Sequence, residues 1–299
     1  VVYGANASGK SNLVAAFAFI KEVLMEGLPM GSVNDFCRNA EENKTRESVF
    51  ELQFTVGDTF YAYGFSAILS RRQITEEWLY ELMQGGGARQ LFIREGNKAP
   101  SLGDGVNLTS SAEKNRFEVY ADDFAGHDTQ LFLAEMNRGK KYDANSRLIF
   151  FPMVFKWIMN NIIVINPNMG ISNTGAYYNE ESLENISRLI QTFDTGITDI
   201  KTREISIEEM GTMIPEITTL VLRHGRSAFD FNFSEESDGT KRLFDLIDML
   251  LTDRPDTVFV VDELERSLHP KLTEHFLKLF MEAHDSVRMQ LVFTTHEDT

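Results

Sequence analysis

The chain has 299 residues, a formal net charge of −16 and a single cysteine, Cys37. Its apolar share of 42% and charged share of 25% are ordinary for a soluble globular protein with one large core or two modest ones, and no stretch reaches the roughly 18 uninterrupted apolar residues of a membrane span. The lone cysteine excludes an internal disulfide framework and fits a reducing cytosol, and the acidity argues against tight, unaided binding of nucleic-acid phosphates. The sequence begins at Val1 and stops at Thr299, directly after an apolar strand. Both ends are expected to be cut, so targeting signals are not read from them.

In chain order, Val1-Val2-Tyr3 reads as the remnant of a buried strand. Gly4-Ala5-Asn6-Ala7-Ser8-Gly9-Lys10-Ser11 follows it, and residues 12–26 carry Leu13, Phe17, Ile20 and Leu24 at helical spacing. A strand, a glycine-bounded turn and a helix are what a phosphate-binding loop needs. Its glycines let consecutive N–H groups, from Gly4 through Ser8 and Gly9, point at a phosphate beside the helix N-terminus. Lys10 is placed to reach the β- and γ-phosphates, and the Ser11 hydroxyl to hold Mg²⁺.

Residues 49–54 and 60–69 read as a β-hairpin, and residues 73–82 and 90–94 as two further strands of an antiparallel region. Residues 95–109 read as a loop. A helical pattern follows from residue 128, with Leu148 to Ile165 expected as one or two helices and 185–193 as another. Arg138, Lys140, Lys141 and Arg147 cluster there, and are read as a solvated face rather than a nucleic-acid patch. Residues 218–223 and 228–233 form an expected strand pair. Beyond residue 239 the pattern alternates helix and strand, at 240–251, 257–261, 270–283 and 288–294. Uniformly apolar strands such as Val258-Phe259-Val260-Val261 mark a parallel sheet covered on both faces.

Two of those strands end in polar residues, where such sheets bind ligands. Asp262 is suited to orient Mg²⁺, usually through water, and Glu263 to position and deprotonate an attacking water. His296, after Leu291-Val292-Phe293-Thr294-Thr295, could contact a γ-phosphate, or it could be a satisfied loop histidine. Glu235-Glu236-Ser237-Asp238-Gly239-Thr240-Lys241-Arg242 opens a helix. There Ser237 and the N–H groups near Gly239 make a second anion-binding surface, or an ordinary N-cap. Glu265 is left over, with a salt bridge to Arg266 or Lys271 as its expected role.

The four segments occur in one order on the element types each role needs. Together they resemble the ATPase heads of ABC transporters, structural-maintenance-of-chromosomes proteins and RecF. YGANASGKSNL, ESDGTKRL, VVDELERSLHP and FTTHEDT are similar to the motifs of bacterial AAA-type core-domain ATPases of phage defence and abortive infection, including OLD-like proteins. The resemblance extends the nucleotide-binding set to Asn6 and Asn12. It makes Ser237 to Lys241 a signature motif facing a partner subunit's ATP, Ser267-Leu268-His269-Pro270 a D-loop, and His296 a switch histidine. Asp238 departs from the usual paired glycines, and Gln53, read first as a solvated strand position, is the only nameable counterpart of the magnesium-sensing glutamine. The implied fold is an α/β P-loop NTPase head with a parallel core sheet, an antiparallel β subdomain and a helical insertion. Its expected divisions are 1–110, 111–195 and 196–299. The implied activity is hydrolysis of ATP to ADP and phosphate with Mg²⁺, catalysed by Glu263, His296 and Lys10, with Ser11 and Asp262 on the metal. The implied setting is a cytoplasmic homodimer that switches an effector, which the resemblance makes a nuclease. Alternatives are a DNA-repair or DNA-tethering ATPase and a scaffold without turnover.

Overall fold

The computed structural model describes residues 1–5, 8–166, 179–205, 217–284 and 287–296. The expected nucleotide contact at Asn6 lies outside the described residues. The first elements are β1 (Val2–Tyr3), α1 (Lys10–Glu26), β2 (Ser48–Val56), β3 (Thr59–Ile68), β4 (Gln73–Leu82), β5 (Ala88–Glu95) and β6 (Ser101–Leu102). The middle of the chain forms α2 (Ser111–Phe124), α3 (Phe132–Glu135), α4 (Phe150–Asn161), β7 (Ile162–Ile165), α5 (Glu180–Thr192) and β8 (Ile197–Ile205). The last elements are β9 (Ile217–His224), β10 (Phe231–Asn232), α6 (Asp238–Leu251), β11 (Val258–Val261), α7 (Pro270–Ala283) and β12 (Gln290–Thr295). Chain contacts separate two compact units, Val1–Val14 with Ile163–Thr299, and Ala15–Ile162.

The first unit is built on a sheet of order β1-β12-β11-β7. β11 and β12 pair in parallel, with Val261 opposite Phe293, and β1 pairs in parallel with β12, with Tyr3 opposite Thr295. Phe259, Val260 and Val261 are all buried, as a parallel strand with no polar face requires. The core around Phe259 and Val261 takes Leu243, Phe244, Leu246 and Ile247 of α6, and Phe276 and Phe280 of α7. Each such side chain contributes about 1.5–3 kcal/mol by leaving water.

Two elements here differ from the sequence reading. Residues 162–165 form the strand β7 rather than the end of a helix. Ile162-Ile163-Val164-Ile165 is all β-branched, and such side chains fit an extended backbone better than a crowded helix turn. β8 was not foreseen as a strand at all. Its register against β9 shifts between Ile197 and Asp199, so buried Ile197 and Ile200 fall three residues apart and the period of two is broken. Lys201 and Arg203 are exposed on it, with Lys201 2.7 Å from Asp199.

The second unit carries the antiparallel sheet β2-β3-β4-β5-β6. Gln53 is exposed on β2, and its amide donates to Glu51 at 3.0 Å. The cluster read as a solvated face is only partly one. Arg138 lies 3.8 Å from Glu135, but the Lys140 side chain is 10% exposed, 2.5 Å from Glu135 and 4.4 Å from the Tyr120 ring centre.

Two charged residues paired across β4 and β5, Glu77 and Arg94, are fully buried. Glu77 accepts from Tyr63 Oη at 2.9 Å and from the N–H groups of Phe132 and Leu133 at 2.6 and 3.0 Å. Arg94 donates to the carbonyls of Gly96, Gln130 and His127. Burial raises the Glu77 pKa and lowers that of Arg94, and each charge offsets part of the other's loss of water. Glu77→Ala leaves the guanidinium buried without its countercharge and frees two buried amides. It should lower stability by about 3 kcal/mol or more, measured as a lower urea midpoint at unchanged slope.

Candidate functional site

The parallel pairing of β1, β11 and β12 brings their C-terminal ends to one edge of the sheet. Gly4, Asp262 and His296 each stand immediately beyond one of those ends. Neighbouring strands lie about 4.8 Å apart, so three segments distant in sequence deliver side chains to one place.

The glycine-bounded turn closes through Ser8 N–H to Ala5 O at 3.2 Å and Asn12 N–H to Gly9 O at 3.0 Å. Gly9 has φ +92°, where a side chain is strained, so the turn into α1 needs glycine there. The first-turn N–H groups of α1 have no acceptor within the helix, which favours an anion at that end. Ser8, Ser11 and Asn12 are exposed at this turn, whereas Lys10 is only 8% exposed. Its ammonium donates to Gly4 O at 2.5 Å and Ala5 O at 3.1 Å, and lies 3.3 Å from His296 Nδ1.

An ammonium has only donors, so Nδ1 accepts and the imidazole proton sits on Nε2. Nε2 faces Glu263 Oε1 at 3.5 Å. Lys10, His296 and Glu263 therefore form a short file in which the imidazole separates a cation from an anion. The Arg266 guanidinium, 3.8 Å from Glu263 Oε2, closes the far side of that carboxylate.

Thr294 orders the acidic pair. Its hydroxyl donates to Asp262 Oδ1 at 2.6 Å and accepts from Glu263 N–H at 2.8 Å. Glu263 has φ +47°, a left-handed conformation that costs a non-glycine residue about 1–3 kcal/mol and persists where surrounding contacts impose it. The Thr294 hydroxyl is one such contact. Another is Arg242 of α6, 4% exposed, whose Nη2 donates to the carbonyls of both Asp262 and Glu263 at 3.0 and 3.1 Å. Burial lowers the Arg242 pKa, and Asp245 is the largest opposing influence.

Ser11 Oγ donates to Asp262 Oδ1 at 3.1 Å. Adjacent ligands of a magnesium octahedron lie about 3 Å apart, so this pair fits one edge of such an ion's shell. Among the described residues no cluster of three or more His, Cys, Asp or Glu side chains could hold a metal.

Ser237 and Gly239 are placed differently. Ser237 Oγ accepts from Thr240 N–H at 3.1 Å, which is the N-cap of α6. Among the described residues neither hydrogen-bonds to the file of Lys10, His296 and Glu263. Gly239 has its own requirement: a Cβ there would lie 2.7 Å from Ser267 O. Asp238 is exposed in the first helical turn, where the helix dipole favours an acid. His269 caps α7, with Nδ1 accepting from Lys271 N–H at 3.3 Å.

The sequence reading assigned no role to the Thr294 hydroxyl or to Arg242. An arginine three residues after Gly239, on a helix face otherwise buried at Leu246 and Met249, was the available signal.

A glycine turn between strand and helix, with an acidic pair ending a parallel strand one place removed in the same sheet, defines a nucleotide-binding α/β fold. The chain belongs to the family described as "AAA domain, putative AbiEii toxin, Type IV TA system", which matches residues 1–299. No curated protein matches it. It is similar to the solved structure of the SMC head bound to the C-winged helix domain of ScpA, at 12% identity and a TM-score of 0.40, over 99% of this chain and 81% of that one. It is also similar to the SMC head domain from Thermotoga maritima, at 15% identity and a TM-score of 0.34, over 99% and 79%.

Thr294→Val keeps the volume and removes the hydroxyl, leaving the Glu263 N–H without its acceptor. It should lower stability by about 1–3 kcal/mol, read from the thermal unfolding midpoint, and Thr294→Ser should restore most of the loss.

Proposed function

We propose that the chain binds ATP with Mg²⁺ at the glycine turn and hydrolyses it to ADP and phosphate. The observation that carries this reading is the file of Lys10, His296 and Glu263 beside the Ser11–Asp262 pair. The N–H groups around Gly4, Ser8, Gly9 and Asn12 bind the phosphate chain. Lys10 releases its loop carbonyls to neutralise the β- and γ-phosphates. Ser11 and Asp262 hold Mg²⁺, which when bound neutralises charge on the phosphate oxygens. Glu263 accepts the proton of the attacking water, and the Nε2–H of His296, already aimed at that carboxylate, orients it or donates to the γ-phosphate.

Ser237 and Gly239 are assigned to a second head. Ser237 is exposed at the start of α6, and a helix N-terminus with a serine cap suits an anion supplied from outside the chain. Two heads would then enclose two nucleotides, and ATP would serve as a timed glue for assembly. The family description names a toxin of a toxin–antitoxin system, which supports a switch acting on an effector in phage defence. The net charge of −16 favours that reading over a DNA tether. Among the described residues no helix is long and apolar enough to cross a membrane.

Glu263→Gln should abolish turnover, by about 100-fold or more, while leaving ATP affinity within a few fold. It should also accumulate an ATP-dependent dimer in light scattering. A variant that hydrolyses ATP at the wild-type rate would remove Glu263 from its assigned role. For the wild type, activity per head should fall on dilution below the dimerisation range, and an unchanged value would exclude the shared site.

A further inference from the structure

Glu265 lies two residues beyond Glu263, in the turn that leads from β11 to α7. Neither expected salt bridge forms. The Arg266 guanidinium is 3.8 Å from Glu263 instead, and among the described residues no salt bridge joins Lys271 to Glu265. The carboxylate reaches across 31 residues of sequence, where Oε1 accepts from the backbone N–H of His296 at 2.7 Å. Oε2 is buried and, among the described residues, has no hydrogen-bond partner.

The turn is shaped to aim this side chain. Glu263 and Ser267, at φ +47° and +64°, bracket it with left-handed backbone. Successive tight turns, Arg266 N–H to Glu263 O at 3.0 Å and Leu268 N–H to Glu265 O at 2.9 Å, hold the segment between them. A carboxylate with one oxygen buried and unpaired is a poor choice for stability, since desolvation opposes it and a neutral amide of the same shape would serve better. What the carboxylate secures is the backbone of the one residue whose ring stands between Lys10 and Glu263.

We infer that Glu265 is a positioning residue for His296. By fixing the His296 amide, it holds the imidazole in the narrow gap where Nδ1 meets Lys10 and Nε2 meets Glu263. The turn that supplies Glu265 also supplies Ser267, whose carbonyl packs against Gly239 at the start of α6. A displacement of that turn, such as a second head could impose at Ser237, would therefore be transmitted to His296 through the Glu265 carboxylate. Both statements rest on the proposed hydrolysis for their catalytic meaning, but the Glu265–His296 coupling itself does not.

The test uses the full chain with Glu265→Ala and Glu265→Gln. In Glu265→Ala the His296 amide should exchange with deuterium about tenfold faster or more. The kcat for ATP should fall about tenfold or more, while the affinity for a fluorescent ATP analogue and the thermal midpoint hold within twofold and within about 2 °C. Glu265→Gln retains an acceptor at the Oε1 position and should recover most of both. Unchanged exchange at His296 in Glu265→Ala overturns the inference. So does Glu265→Gln failing as badly as Glu265→Ala, or a fall in the thermal midpoint that accounts for the lost activity. If the wild type hydrolyses no ATP, the proposed function fails, and the exchange rates still decide the role of Glu265.

Discussion

The hydroxyl of Thr294 sits between two groups with opposite needs. Asp262 needs a donor on an oxygen that leaves water at the edge of the sheet, and the Glu263 N–H needs an acceptor because its residue has left the strand in a left-handed turn. One hydroxyl meets both needs because it donates and accepts along different directions. The parallel register of β11 and β12 sets it at the right height, with Val261 opposite Phe293 so that Thr294 is level with Asp262. The acidic pair, the Ser11 contact and the histidine file all follow from that registration. A slip of one residue would turn Thr294 to the other face of the sheet and dissolve them together.

The site is also held from behind. Arg242 is buried, carries a charge at some cost, and has Nε and Nη1 without hydrogen bonds among the described residues. Its Nη2 nevertheless engages the two carbonyls at the strand end. α6, which begins at Ser237, is thereby tied to the backbone that presents Asp262 and Glu263. Gly239 packs at the same time against the turn bearing Ser267. The start of α6 thus has two mechanical connections to the acidic pair, one through a side chain and one through a close backbone approach. Any ligand or partner that moves this helix start acts on Glu263 through both.

The second unit shows how the same physics builds a scaffold instead of a site. Glu77 and Arg94 are more deeply buried than any charge near Lys10, yet their hydrogen-bonding groups are met by backbone partners from residues 96 and 127–133. At the strand ends of the first unit the His296 imidazole and the Glu263 carboxylate are partly open and stand 3.5 Å apart. Saturated and buried polar groups lock a fold, whereas incompletely satisfied ones at a surface retain capacity for a ligand.

By itself the amino-acid sequence determined the elements whose pattern is local: the glycine turn opening α1, the uniformly apolar β11, the alternation of β2 to β5, and the small-residue start of α6. It marked Lys10, Ser11, Asp262, Glu263 and His296 because each stands at a strand or helix end, where side-chain chemistry is legible without coordinates. Strand β8 was illegible because a bulge breaks its period, and β7 because a short apolar run reads equally as helix. Only the tertiary structure decided that Thr294 bridges the acids, that Arg242 braces them, and that Glu265 reaches the amide of His296. Those contacts join residues 20 to 32 positions apart, through register and a left-handed turn that no local pattern records.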